Sequence, residues 1–176
     1  MREVKEAIEK LRPRLLDSRQ KLVRPLIDLN YRIETEYFKL SLVSGKRERF
    51  LAHSELGEMR IICPPTADFT DSNLQDWLRK VIEEALRRNA KIILPPRLYM
   101  LSEKHRLPYE SVQINSSRGR FLVLLPKHLI DYVLLHELCH TCEMNHGDRF
   151  WDLLNGLTDG KALELREELK RYKTEI

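Results

Sequence analysis

Three histidines and a glutamate in the C-terminal part of the chain, His136-Glu137-Leu138-Cys139-His140 followed by His146, have the residue types and spacing of a metal-centred hydrolytic site. Residues four apart on a helix share one face, so His136 and His140 can reach the same ion. Glu137 lies about 100° round the helix from His136. There it can touch a water at an open coordination position without becoming a ligand. His-Glu-x-x-His on a helix is the pattern of zinc peptidases, with the Glu as general base. A catalytic zinc takes three protein ligands and keeps one position for water. His146, a short turn beyond the helix, completes the three.

The elements that must hold these side chains can be read around them. Leu129 to Met144 is predicted to be one helix, preceded by Pro126 and uninterrupted by Gly or Pro. Leu129, Tyr132 and Val133 fall near the histidine face, while Ile130, Leu134 and Leu138 fall on the other side. A helix apolar on most sides is a buried one, and polar groups inside it cost several kcal/mol unless partnered. A metal would partner them. Asn145 and Gly147 tolerate the left-handed conformation that ends helices. They are expected to stop the helix and swing His146 back toward the first two histidines. Asp148 is expected to cap a further helix that begins Arg149-Phe150-Trp151.

The segment from Leu129 to Trp151 resembles the YgjP-like metallopeptidase-domain family, a zincin group. The matching residues are Ile130-Asp131-Tyr132-Val133, His136 to His140, Glu143-Met144-Asn145-His146 and Phe150-Trp151. Weaker similarity runs through Ile93-Leu94-Pro95-Pro96-Arg97-Leu98 and Leu107-Pro108-Tyr109. The resemblance covers roughly Met59 to the C-terminus, with residues 1–58 only loosely similar. It implies a zincin-like fold, a Zn2+ site with His136, His140 and His146 as ligands, and Glu137 as catalytic base. It also implies protein or peptide substrates and a distant kinship to SprT-like and WLM peptidases, some of which act on DNA-bound proteins. The chain departs from the family pattern where Ile114-Asn115-Ser116-Ser117-Arg118-Gly119-Arg120 runs directly into Phe121-Leu122-Val123-Leu124-Leu125. An Arg-Trp-Gly-Ser-Cys-type segment would be expected there, and its loss would alter the wall of a substrate cleft.

At 176 residues, 42% hydrophobic and 33% charged, the chain reads as one compact domain able to bury a core. No apolar run is long enough to span a bilayer and no signal-peptide pattern opens the chain, which makes the cytoplasm the simplest compartment. Three cysteines, an odd number, do not suggest a disulfide framework. The fold class expected is α+β, with a small mixed or antiparallel sheet on helices and the metal helix near the C-terminus. Helices are expected over Val4–Leu11 and Leu15–Asp28, the second broken near Pro25. A strand follows from Thr35 to Val43, ended at Ser44-Gly45. Two more, Phe50–Ser54 and Met59–Cys63, are joined near Gly57. A helix opens at Asp71 or Ser72 and carries Leu74, Trp77, Leu78, Val81, Ile82, Ala85 and Leu86. A shorter one follows Pro95-Pro96 up to about His105. Tyr109–Ile114 and Phe121–Leu125 are candidate strands, and Ala162–Tyr172 a charged final helix, exposed or contacting a partner.

Rival readings accompany the metal site. Cys139-His140-Thr141-Cys142 is formally Cys-x-x-Cys, a redox pair or Cys-ligated zinc, against two small buried apolar side chains. Glu143 could orient a ligand or be a plain surface acid, and His128 could support the site or sit on the surface. Tyr109, Arg118 and Arg120 are candidates for stabilising an oxyanion only because they precede the metal helix. A net charge of +4 and a pI near 9.0 permit nucleic-acid contact without demanding it. The reading that follows is a zinc-dependent peptidase. Its alternatives are a non-catalytic zinc-binding module and a nucleic-acid-associated adaptor.

Overall fold

The computed structural model describes residues 24–107 and 119–172. The expected helix Val4–Leu11, the candidate strand Tyr109–Ile114 and the residues Tyr109 and Arg118 lie outside them. So does most of the expected helix Leu15–Asp28, of which the described part, Arg24–Asp28, is not helical. Among the described residues, strands come first: β1 (Arg32–Glu34), β2 (Lys39–Ser44), β3 (Leu51–Glu55) and β4 (Glu58–Cys63). Helices follow: α1 (Ser72–His105), a 3-10 helix (Gly119–Leu124), α2 (Lys127–Cys139), α3 (Asp148–Leu157) and α4 (Ala162–Arg171). This is the α+β order expected.

The sheet is mixed, in the order β1-β2-β4-β3. Two antiparallel hairpins, β1/β2 and β3/β4, are joined through parallel β2 and β4. Period-two alternation decides its inner face: Leu40 and Leu42 of β2 and Met59, Ile61 and Cys63 of β4 are buried, with Lys39, Glu58 and Arg60 outside. The single strand expected from Thr35 to Val43 is shorter, and a separate strand, β1, precedes it. The cause is Thr35. Its hydroxyl donates to the Phe38 carbonyl at 3.0 Å and accepts from the Phe38 amide at 3.0 Å, closing a turn where a ladder would continue. Gly45 leaves β2 so close to β4 that a Cβ would collide with the Ile62 side chain. Gly57 turns β3 into β4 at a φ of 80° and gives its amide to Asn89 Oδ1 of α1 at 2.6 Å, fastening sheet to helix.

Helix α1 opens where expected, with Asp71 Oδ1 accepting the Asn73 amide at 2.9 Å. It does not stop at the prolines. Pro95 and Pro96 lie inside one continuous 34-residue helix. Proline removes an i→i−4 hydrogen bond. The carbonyls so released belong to Lys91 and Ile92, which like the prolines face solvent and can bond water. The buried side chains Ala90, Leu94, Leu98 and Leu101 hold the helix together across the gap. Phe121–Leu125 is likewise not a strand. Gly119–Leu124 forms a 3-10 helix against α1, burying Val123, whose carbonyl accepts from Thr35 Oγ1 at 3.2 Å. A short apolar run has no period that separates these outcomes.

One connected buried cluster takes in Leu40 and Ile61 of the sheet, Ile82 and Leu94 of α1, Leu135 of α2, Phe150 of α3 and Ala162, where α4 begins. Leu165 and Leu169 lay α4 against that cluster, so the final helix is docked on its own chain. No described helix is long and apolar enough to cross a membrane.

Candidate metal centre

Helix α2 starts after Pro126, whose carbonyl accepts from the amides of Leu129 and Ile130 at 3.0 Å. Leu129, Ile130, Tyr132, Leu134, Leu135, Leu138 and Cys139 are buried, so the apolar character read in the sequence is core contact. The helix ends at Cys139, five residues short of the expected Met144. Thr141 stops it: its hydroxyl takes the Leu138 carbonyl at 2.7 Å, and its amide takes the same carbonyl at 3.0 Å. The amides of Cys142 and Glu143 both return to the Cys139 carbonyl, at 3.0 and 2.8 Å. His136 therefore projects from the last turn and His140 from the cap position.

The return of the chain is also made differently from the expectation. Neither Asn145 nor Gly147 is left-handed. Gly147 is extended (φ −81°, ψ −175°) and is itself the N-cap of α3, while Asp148 is the first helical residue and makes no cap hydrogen bond. An acid in the first turn still faces the positive end of the helix dipole. Gly147 donates to the Asn145 carbonyl at 2.8 Å, which tightens the bend that carries His146.

The bend brings three imidazoles together. His136 Nε2 lies 3.3 Å from His140 Nε2 and 3.1 Å from His146 Nε2, and the possible ligand atoms of all three residues fall within 4.8 Å of one another. A tetrahedral ion with bonds of about 2.0–2.1 Å sets its ligand nitrogens about 3.3 Å apart. The donor set thus has the size and chemistry for such an ion. His140 Nδ1 is 3.2 Å from the Glu143 carbonyl, which can only accept. The ring proton therefore sits on Nδ1 and the Nε2 lone pair faces the other two rings. Glu143 does orient a histidine, but through its main chain rather than its carboxylate. Burial, then the neighbouring His140 and His146, then Arg166, hold the His136 imidazole down at a pKa of about 4, in the neutral form a metal needs.

Phe150 supplies the floor. Its fully buried ring lies with its centroid 4.9, 4.7 and 4.7 Å from those of His136, His140 and His146. From the sequence Phe150 is only an early residue of the helix after His146 and part of the resemblance, with no role at the site. The available signal was its place four residues after His146, on the inner face of α3. Trp151 lies beside it, 6.3 Å from His146 between ring centroids, and carries the Arg166 guanidinium 5.2 Å over its own ring. Glu137, the proposed base, is exposed, and no side chain among the described residues holds its carboxylate. Position on the metal helix is further set by Arg97 of α1. Its Nε and Nη2 donate to Asp131 Oδ1 and Oδ2 at 2.6 and 2.5 Å, a two-pronged pair largely shielded from water.

Chain similarity agrees with this geometry. The model of the family described as YgjP-like, metallopeptidase domain, matches residues 1–172. The chain belongs to that family. The match includes residues 1–58, and the description carries with it a metal and protein or peptide substrates. No curated protein matches the chain, and no solved structure does.

Other candidates are used elsewhere. Arg120 pairs with Glu83 of α1 at 3.1 Å and lies 4.6 Å over the Phe121 ring. His128, exposed near the start of α2, meets Glu168 of α4 at 2.8 Å. Cys139 is buried and Cys142 exposed, both as thiols. Burial pushes the Cys139 thiol up to about 11, with Cys142 adding to it, the opposite of what a redox thiol needs.

Proposed function

We propose that this member of the YgjP-like family is a zinc-dependent peptidase that hydrolyses peptide bonds, with His136, His140 and His146 as ligands and Glu137 as general base. The observation that carries this reading is the convergence of three imidazole nitrogens at the spacing of a tetrahedral site. Three neutral ligands from the protein match the composition of catalytic rather than closed structural sites. Zinc, when bound, supplies a Lewis acid and lowers the pKa of water at its open position toward neutrality. Glu137 accepts the proton of the attacking water and delivers it to the leaving amine. Its exposure leaves it accessible to substrate. Phe150 closes the inner side of the histidine cluster, so water and substrate approach from the side of the exposed His146.

The test is Glu137→Gln. Metal content by elemental analysis should match the unaltered chain, while hydrolysis of an unfolded protein substrate should fall by about 10²–10⁴. Full activity with the metal retained would refute the role of Glu137. Bound zinc without cleavage by the unaltered chain would favour the non-catalytic zinc module.

A further inference from the structure

Resting on the peptidase reading, we propose that Arg166 is a substrate-binding residue of this site. It would hold a carboxylate of the peptide, either its C-terminal group or an acidic side chain next to the cleaved bond. The guanidinium has a fixed seat, on the indole of Trp151, where cation–π attraction favours an ordered position. That indole sits against His146 and against the Phe150 floor, with ring centroids 6.3 and 5.6 Å away. The positive charge is therefore parked at the rim of the histidine cluster.

Charge bookkeeping in α4 leaves this arginine available. Glu167 is taken by Lys170 at 2.5 Å and Glu168 by His128 at 2.8 Å. The positions three and four away from Arg166 are Leu163, Leu169, Ala162 and Lys170, none of them an acid. Among the described residues no carboxylate lies within ion-pairing distance of it. An exposed, ordered, unpaired guanidinium presents a fork of donors that matches a carboxylate in two-pronged fashion. Arg166 is thus a cation beside the cluster that can receive the anionic end of a substrate.

Binding tests this apart from turnover. Zinc-loaded Glu137→Gln protein, which should not cleave, is titrated by calorimetry with a tripeptide as free acid and as C-terminal amide. It is then titrated with an amidated peptide pair differing only as Glu or Gln at one internal position. In one of the two pairs the carboxylate form should bind about tenfold tighter. That preference should be lost on adding Arg166→Gln and partly restored by Arg166→Lys. The pair that responds identifies the source as terminal or side-chain. An equal preference with and without Arg166, or none in either pair, overturns the proposal. A chain that shows the Arg166-dependent preference but cleaves no peptide would sink the peptidase reading and leave the carboxylate site standing. Arg166 is exposed on α4, so its replacement leaves the core untouched.

Discussion

At the scale of single residues, His136 links chemistry to stability. Its folded pKa, about 4 against an ordinary 6.5, means that the folded chain resists a proton that the unfolded chain accepts. The stabilisation is fully present above about pH 6.5 and is lost as pH falls toward about 4. Metal-stripped protein should therefore show a melting temperature that drops through that window. A His136→Asn chain should show a smaller drop, and equal slopes would remove His136 as the cause. The three histidines that converge could be picked out in the sequence because ligand chemistry admits few residue types. Phe150 was not legible as a floor, since an aromatic residue on a helix looks the same whether it meets aliphatic core or imidazole. Nor was the role of Glu143, because a backbone carbonyl has no signature in residue type.

Elements were legible where a period ran long enough. The alternation in β2 and β4 and the helical pattern of α1 followed from their apolar spacing, and Gly57 marked the hairpin. The errors share a cause: local rules lost to packing or to a hydroxyl. Pro95 and Pro96 lie within α1 where Lys91 and Ile92, whose carbonyls they release, are exposed residues, and Thr141 ended α2 early although it is no helix breaker by type. Thr35 cut a strand in the same way. The element that aims the metal helix is fixed by the Arg97–Asp131 pair, whose side chains keep only 20% and 24% of their exposure. Asp131→Asn leaves a shielded guanidinium without its counter-charge and should cost roughly 1–3 kcal/mol. The check is the midpoint of urea denaturation at unchanged m-value; an unshifted midpoint would mean that solvent screens the pair completely.

Across the whole molecule, strands before helices implied α+β, but the parallel pairing of β2 with β4 could not be read. Sequence neighbours suggest hairpins, and only a connection that passes over β4 makes the two inner strands run the same way. The same scale governs the response to metal. Ligand that binds only the folded chain stabilises it by RT ln(1 + [L]/Kd), about 2.7 kcal/mol at a hundredfold excess over Kd. Zinc should raise the melting temperature of the unaltered chain and leave that of His140→Ala nearly unmoved. Equal shifts in both would place the ion elsewhere. The site draws its parts from two helices and the bend between them, with Phe150 arriving from the second. A half-folded chain that owns only the first helix offers two nitrogens and no backstop. The full three-nitrogen cluster with its aromatic backing therefore exists only where the helix carrying Phe150 has seated against the one carrying His136.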